Sequence, residues 1–178
     1  MSWSAKIEGY EQIVPELRVA VRLGLKDGLG LLMVEGVRMV QENIATPYDG
    51  KPAAVAFGNL IRGVQGQVVD TDPLLTLVIG EGSSLGADKY AAPVETGAKA
   101  HMPPSSALIL WVKKKFGAET LQEAKSMAYV VARSIAKKGT HAHRMFERGL
   151  VSLEKIAVPT LEKSIATRLA AAGFTGAE

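Results

Sequence analysis

The sequence predicts an α+β fold, in which a small antiparallel sheet and the helices occupy separate parts of the chain. Three observations predict it. Apolar residues near the start recur mostly every four positions, as on a long helix. Two β-type runs with a turn between them follow. The second half then returns to helical spacing. Because strands and helices are segregated and do not alternate, the pattern favours α+β over α/β.

Composition excludes several classes of chemistry. The chain has 178 residues, 47% hydrophobic and 22% charged, values typical of one soluble domain. It has no cysteine, which excludes a disulfide scaffold, a thiolate metal site and a cysteine nucleophile. No run approaches the roughly 20 continuous apolar residues of a membrane span. We expect one soluble domain over residues 1–178, with no membrane partner.

The first element after the start is a long helix. Residues Trp3–Glu8 alternate like a half-buried strand, and a helix follows from about Glu11 to Ile44, with Pro15 in its first turn. Four glycines lie inside this helix, so it needs tertiary packing, or it allows another backbone to approach closely. The predicted apolar stripe consists of Leu17, Val21, Leu25, Leu29, Leu32, Val37, Val40 and Ile44.

The middle of the chain predicts the sheet. Runs of β-type residues at Leu60–Val69 and Leu74–Ile79 flank a turn at residues 70–73, which indicates a hairpin. The glycine-rich segment Glu81–Asp88 is expected to be a loop. A third short strand is predicted at Tyr90–Thr96, at an edge or bulge because it contains Pro93.

Three helices are predicted in the second half. The first follows Pro103-Pro104 with Ser105 or Ser106 as its cap. The second runs from about Glu119 to Lys138 and ends at a glycine suited to the C′ position. The third begins near Ala142, with the preceding Thr140 as its cap, and reaches about residue 172, as a candidate extension of the domain. Its internal proline, Pro159, is expected to kink or split it.

The sequence offers no constellation for catalysis, so no enzyme is predicted. The glycine run that starts at Gly28 has Met33 where a dinucleotide loop requires Gly or Ala, and it lies within a helical stripe. His101, His141 and His143 are the only histidines, too few for a metal site without carboxylates that nothing in the sequence selects. Glu95 and His101 are spaced like an acid–base pair, although a structural hydrogen bond explains Glu95 better. No catalytic residue, metal or cofactor is predicted.

Charge is unevenly distributed along the chain. The chain carries +3 overall, but residues 113–148 contain nine basic and three acidic residues, so they carry +6 and the remainder −3. Such a region is typical of solvated helix faces, of contact with an acidic protein, or of contact with nucleic acid. The candidate contacts to a partner or to DNA are Lys113, Lys114, Lys115, Lys137, Lys138, Arg144 and Arg148.

Three segments of the second half form a recognisable pattern. Residues 90–97 read Tyr-Ala-Ala-Pro-Val-Glu-Thr-Gly, and His-Met-Pro-Pro follows at 101–104. Residues 110–117 read Leu-Trp-Val-Lys-Lys-Lys-Phe-Gly, and 132–140 read Ala-Arg-Ser-Ile-Ala-Lys-Lys-Gly-Thr. The pattern resembles the neck or tail-completion proteins of long-tailed bacteriophages, the family that includes minor tail protein Z of lambdoid phages. The motif residues with implied structural roles are Tyr90, Glu95, Gly97, Pro103, Trp111 and Gly139.

The resemblance implies a structural virion protein. Such proteins form a ring, usually thought to be sixfold, that completes the head-proximal end of the tail and joins it to the head around the DNA channel. It implies assembly in the host cytoplasm, a final location at the neck of the virion, and contacts with the tail terminator, tail tube and head connector. DNA passing through the lumen is a further implied neighbour. The residues themselves leave one alternative open, a small cytoplasmic nucleic-acid-binding or regulatory protein that uses the basic 113–148 region.

Overall fold

The computed structural model describes residues 15–54, 58–82 and 88–174, apart from the side chains of residues 88–90. It confirms the α+β class, with a long N-terminal helix, a hairpin and C-terminal helices. The predicted strand at Trp3–Glu8 and most of the loop Glu81–Asp88 lie outside the described residues. The elements, in chain order, are α1 (Pro15–Ala45), α2 (Asn59–Gly63), β1 (Val64–Thr71), β2 (Leu74–Glu81), α3 (Asp88–Thr96), α4 (Ser105–Phe116), α5 (Leu121–Lys138) and α6 (Met145–Ala171).

The chain divides into two compact units, each built from segments that are distant in sequence. The first unit contains α1 as far as Val40, residues Val64–Gly80 with most of the hairpin, and the chain from Arg148 onward. The second contains residues Gln41–Gly63 and Glu81–Glu147. Both α1 and α6 therefore contribute residues to both units.

Three of the four glycines of α1 lie on its buried side, and two of them, Gly24 and Gly28, allow α6 to approach closely. Every fourth residue from Ala20 to Ile44 is buried, and this line includes Gly24 and Gly28. A Cβ atom at Gly24 would lie 2.6 Å from the Cα of Ile165 in α6.

The prediction of the apolar stripe on α1 is correct for half of its residues. Leu29, Leu32, Val40 and Ile44 are buried, whereas Leu17, Val21, Leu25 and Val37 are only half-buried.

The hairpin and α6 complete the core of the first unit around α1. This core contains Leu29 and Leu32 from α1, Leu75 and Leu77 from β2, and Leu153 and Ala157 from α6. Leu75 and Leu77 are two residues apart, so they share one face of the strand. At the turn end of the hairpin, Asp70 accepts hydrogen bonds from Arg22 and from Lys26, the latter at 2.8 Å. These bonds attach the hairpin to α1.

Two predicted strand segments are helical instead. The hairpin prediction holds, but β1 begins at Val64 and residues 59–63 form α2, with Leu60 and Gly63 buried. The prediction of a third strand at Tyr90–Thr96 was wrong, because these residues belong to α3 with Pro93 inside it. Ala91 and Glu95 are both buried and lie four residues apart, the spacing of one helix face. A run of seven residues is too short for periodicity alone to separate the two structures.

Helices α4 and α5 form a hairpin in the second unit. They pack around Val112, Ala118, Ala124 and Ala128, and the small alanine side chains let the helices approach closely. The prediction of Ser105 or Ser106 as a cap was wrong, since Pro104 occupies the N-cap position without a side-chain hydrogen bond. At α5 the cap is Thr120, whose hydroxyl accepts the N–H of Glu123 at 3.1 Å, while Glu123 Oε2 accepts the N–H of Glu119. The predicted end at Gly139 is confirmed.

Helix α6 begins later than predicted and does not break. Its first residue is Met145, not Ala142, and Thr140 pairs with Ala98 in a β-bridge instead of capping the helix. Pro159 was expected to kink or split the helix, and it does not split it, because α6 continues to Ala171. Pro159 and Lys155, whose carbonyl loses its i+4 partner, are both exposed, so water can satisfy that carbonyl. Within the described ranges, no helix has the length and apolar character that a membrane span requires.

Candidate functional site

Three of the six motif residues, Glu95, Gly97 and Gly139, lie where the end of α3 and the chain after it cross the chain between α5 and α6. Ala98 and Thr140 form a bridge in which Thr140 N–H donates to the Ala98 carbonyl at 2.8 Å, and Thr140 Oγ1 accepts the Ala98 N–H at 2.8 Å. Nearby, His143 N–H donates to the Val94 carbonyl at 2.7 Å. We call residues 94–98 together with 139–147 the crossing.

The two motif glycines make the crossing sterically possible. Gly97 and Gly139 have φ values of 72° and 71°, in the region that side chains disfavour. A Cβ atom at Gly97 would lie 2.6 Å from the Thr140 carbonyl oxygen, and one at Gly139 would lie 2.1 Å from that of Ala98. Each glycine therefore accommodates the backbone of the opposite segment.

Glu95 is the buried acid of the crossing. Its Oε2 accepts the N–H of Phe146 at 2.9 Å, and its Oε1 accepts the N–H of Glu147 at 3.0 Å. These N–H groups belong to the first turn of α6, where helices have unpaired donors and a partial positive charge. Glu95 thus caps a helix that begins 50 residues later in the chain, and both of its oxygens are engaged.

His143 forms a second buried connection. Its Nε2 lies 3.1 Å from the Asn43 carbonyl oxygen and 3.2 Å from that of Thr46, at the C-terminal end of α1. Because both partners are acceptors, we assign the ring proton to Nε2. Asn43 returns a hydrogen bond from Nδ2 to the Met145 carbonyl at 3.0 Å, and the Tyr48 ring packs edge-on against His143 with centroids 5.9 Å apart.

Contacts within the protein engage the acidic and imidazole side chains at and near the crossing. The carboxylate of Glu95 is occupied by α6, and His101 Nδ1 lies 2.8 Å from the Lys99 carbonyl, so neither is the other's hydrogen-bond partner. His141 Nε2 is 3.6 Å from an oxygen of Asp49. In the part of the chain that the structure describes, no three histidine or acidic side chains are grouped so that they could hold a metal ion.

The other motif residues lie away from the crossing. Trp111 is half-buried in α4, packs against the cluster around Val112, and meets the Phe116 ring edge-on at 5.5 Å. Pro103 is half-buried just before α4. Tyr90 belongs to α3, but its side chain is outside the described part.

The seven predicted basic contacts do not form one patch. Lys113, Lys114 and Lys115 occupy the last turn of α4, whereas Lys137 and Lys138 occupy the last turn of α5. Because consecutive helices joined by a short loop are antiparallel, these ends lie at opposite ends of the hairpin, about 25 Å apart along α5. At both places the lysines offset the negative end of a helix dipole.

The remaining basic candidates have local partners. Lys115 Nζ donates to the Ala53 carbonyl at 3.2 Å. Arg144, with φ of 49°, contacts Glu147 at 3.4 Å across the start of α6, and Arg148 is half-buried in that helix. Lys115 and Arg144 therefore contact other residues of the same chain.

Sequence reasoning missed the cap on α6 and the role of His143. One signal pointed to the cap: the residues before Met145 are Ala142, His143 and Arg144, none of which is a favourable N-cap. A helix without a local cap needs an acceptor from elsewhere, but one sequence does not identify which acidic residue supplies it.

Comparison of the chain with protein-family models, with curated proteins and with solved structures finds no match.

Proposed function

We propose that this chain is a structural virion protein that completes the proximal end of a phage tail and joins it to the head as a ring around the DNA channel. The observation that carries the proposal is the crossing. The resemblance rests on segments about 40 residues apart, and their most distinctive residues, Glu95, Gly97 and Gly139, meet there in contacts that hold the fold. In a structural protein we expect the residues of the family pattern to hold the fold together, as these three do.

The use of the polar residues supports the same proposal. Glu95 and His143 are the buried titratable side chains of the described chain, and each is engaged by backbone groups. A reacting group needs access to substrate as well as suitable chemistry. These two side chains hold helices α6 and α1 instead.

Exposed apolar side chains on the helices support assembly with other subunits. On α1, Val19, Leu23, Leu31 and Val34 are each at least 41% exposed. Val19, Leu23 and Val34 fall within about 60° of one another around the helix axis, so they share one face. A recurring apolar face is typical of a surface that another protein covers.

Deletion of the coding sequence from the phage genome tests the proposal. We expect electron micrographs of the lysate to show separate filled heads and tails, and addition of the purified chain to restore joined particles. Particles that form normally without the chain would contradict the proposal.

The alternative, a nucleic-acid-binding or regulatory protein, makes a different prediction. The purified chain would bind DNA with an affinity that falls linearly in log[salt], with a slope set by the number of phosphates neutralised. The separation of Lys113–Lys115 from Lys137 and Lys138 weakens this alternative, because the lysines do not make one continuous surface. Steep salt-dependent binding together with unchanged head joining would favour it.

A further inference from the structure

Two helices carry exposed faces that are complementary in charge. On α5, Lys125, Tyr129, Arg133 and Lys137 are spaced four residues apart and are all exposed. Residues four apart form a ridge on a helix surface, and this one is about 18 Å long. We call it the basic ridge. No acidic residue occurs between Glu123 and Glu147, so the chain places no negative charge beside it in sequence.

The opposite pattern occurs on α6. Glu154, Val158 and Glu162 are also four residues apart and exposed, and we call them the acidic ridge. Val151 lies two turns before Val158 on the same side. Lys163 points about 140° away from Val158 around the helix, whereas Lys155 lies about 60° from Val158 and borders one side of the ridge. The acidic ridge thus has an apolar centre between two negative charges.

Both ridges are available for contact. On α5, Tyr129 is 52% exposed, and Val130, which borders the ridge about 60° from Arg133 around the helix, is 66% exposed. On α6, Val151 and Val158 are 51% and 61% exposed. Within the described ranges, the side chains of Lys125, Arg133, Glu154 and Glu162 have no ion pair or hydrogen bond. The charged groups of both ridges therefore remain to be satisfied by water or by a partner.

We propose that the basic ridge on α5 of one copy packs against the acidic ridge on α6 of a second copy. The central contact joins Tyr129 to Val158, and a cation–carboxylate pair lies on each side of it. Because each ridge has charges of one sign on both sides of its centre, the pairing works for parallel and antiparallel helices alike. The i±4n ridges of two helices interdigitate in the commonest class of helix packing.

A second copy fits this surface better than nucleic acid does. Phosphates would pair with the charges of Lys125 and Arg133. They would leave Val130, which borders the ridge, and the methylene groups of the basic side chains without an apolar partner. Tyrosine and arginine together are typical of protein interfaces. The acidic ridge supplies both the negative charges and the apolar centre.

The contact is heterologous, because different surfaces of the two copies meet. Such a contact leaves one free ridge of each kind at the ends of any open oligomer, and it closes only as a ring or continues as a filament. The inference rests on the proposed function for its biological setting, since ring assembly is what that function requires. The contact itself can be tested on the purified full chain.

The absence of cysteine permits a direct cross-linking test. One chain carries Val130→Cys and another carries Val151→Cys, which leaves Tyr129, Val158 and all four charges in place. We expect a short bis-maleimide to join the two variants when they are mixed, and to join either variant alone much less. Lys163→Cys replaces Val151→Cys in the control, because Lys163 faces away from the acidic ridge.

A chain that carries both cysteines should give a ladder of cross-linked oligomers, whose largest discrete member reports the ring size. If the double variant is cross-linked only within single chains, or if Val130→Cys chains link mainly to one another, the proposal is overturned. No cross-linking at any concentration also overturns it.

Charge reversal gives an independent readout by sedimentation. Lys125→Glu with Arg133→Glu in one variant, and Glu154→Arg with Glu162→Arg in another, should each weaken self-association by at least about tenfold, because like charges then face each other. A mixture of the two variants should associate again, since alternating copies restore opposite charges at every contact. Failure of the mixture to recover overturns the proposal.

The two proposals fail separately. If no cross-link forms but the deletion lysate contains unjoined heads and tails, the proposed contact is overturned and the proposed function is retained. If the specific cross-link forms but the deletion lysate contains normal particles, the proposed function is overturned and the contact is retained.

Discussion

The Glu95 carboxylate accepts the backbone N–H of Phe146 at 2.9 Å, across 51 residues of sequence. Its other oxygen accepts the next N–H, that of Glu147. The start of α6 is therefore fixed by a side chain from α3 and not by a residue of its own turn. This contact joins the first motif segment, at the end of α3, to the start of α6, shortly after the last motif segment ends at Thr140.

Glu95→Ala is expected to destabilise the chain substantially. The variant loses two hydrogen bonds to a charged acceptor and leaves two N–H groups of α6 unsatisfied, which costs about 2–4 kcal/mol of unfolding free energy. Urea denaturation followed by circular dichroism measures this loss. Glu16→Ala, at an exposed position outside both ridges, is the control and should change the free energy by less than about 0.5 kcal/mol. Equal effects of the two substitutions would contradict the capping role of Glu95.

Gly139→Ala is expected to disrupt the crossing. A Cβ atom would lie 2.1 Å from the Ala98 carbonyl oxygen, and the backbone, with φ 71° and ψ −159°, is in a region essentially reserved for glycine. Gly117 has the same φ of 71° but open space around it, so Gly117→Ala should cost only about 1–2 kcal/mol. Thermal denaturation of both variants separates the cost of the steric conflict at residue 139 from the cost of a positive φ, which both positions share. If Gly117→Ala lowers the melting temperature as much as Gly139→Ala does, close contact is not what requires glycine at 139.

The sequence predicts elements whose periodicity extends over many residues. Helix α1 and helix α5 were located within a few residues, because a stripe of several turns is an unambiguous pattern. The prediction for a short run failed: Tyr90–Thr96 is helical, since seven residues are too few for periodicity to separate a strand from a helix. Pro93 indicated an edge strand or a bulge, but it lies inside α3.

The candidate site was predictable in its residues but not in its geometry. Glu95, Gly97 and Gly139 were selected by a motif pattern, yet the pattern contains no information about which segments meet. The cap on α6 and the buried ring of His143 depend on contacts between residues about 50 and 100 positions apart. Such contacts follow from tertiary packing, which local propensity does not encode.

Two glycines of α1 are expected to respond to alanine in opposite directions. Gly24→Ala places a Cβ atom 2.6 Å from the Ile165 Cα, so the two helices must separate and stability falls. Gly30→Ala meets nothing within 4 Å, and it removes the helix penalty of glycine, so it should raise the unfolding free energy by up to about 1 kcal/mol. Chemical denaturation of both variants measures the two changes in unfolding free energy, which should have opposite signs. Stabilisation by Gly24→Ala would show that α1 and α6 do not approach closely there.

Acid is expected to weaken the attachment of the hairpin to α1. The hydrogen bond from Lys26, with a further one from Arg22, lowers the pKa of Asp70 below its ordinary value of 3.8. A lowered pKa in the folded state means that the contribution of Asp70 to stability is complete above pH 3.8 and is lost as the pH falls through the folded-state pKa. NMR titration of the Asp70 carboxyl carbon measures that pKa directly. Lys26→Met should raise it, while Lys163→Met, a substitution of an exposed lysine on α6, should leave it unchanged. A pKa of Asp70 at its ordinary value in the unmodified chain would show that these ion pairs do not persist in solution.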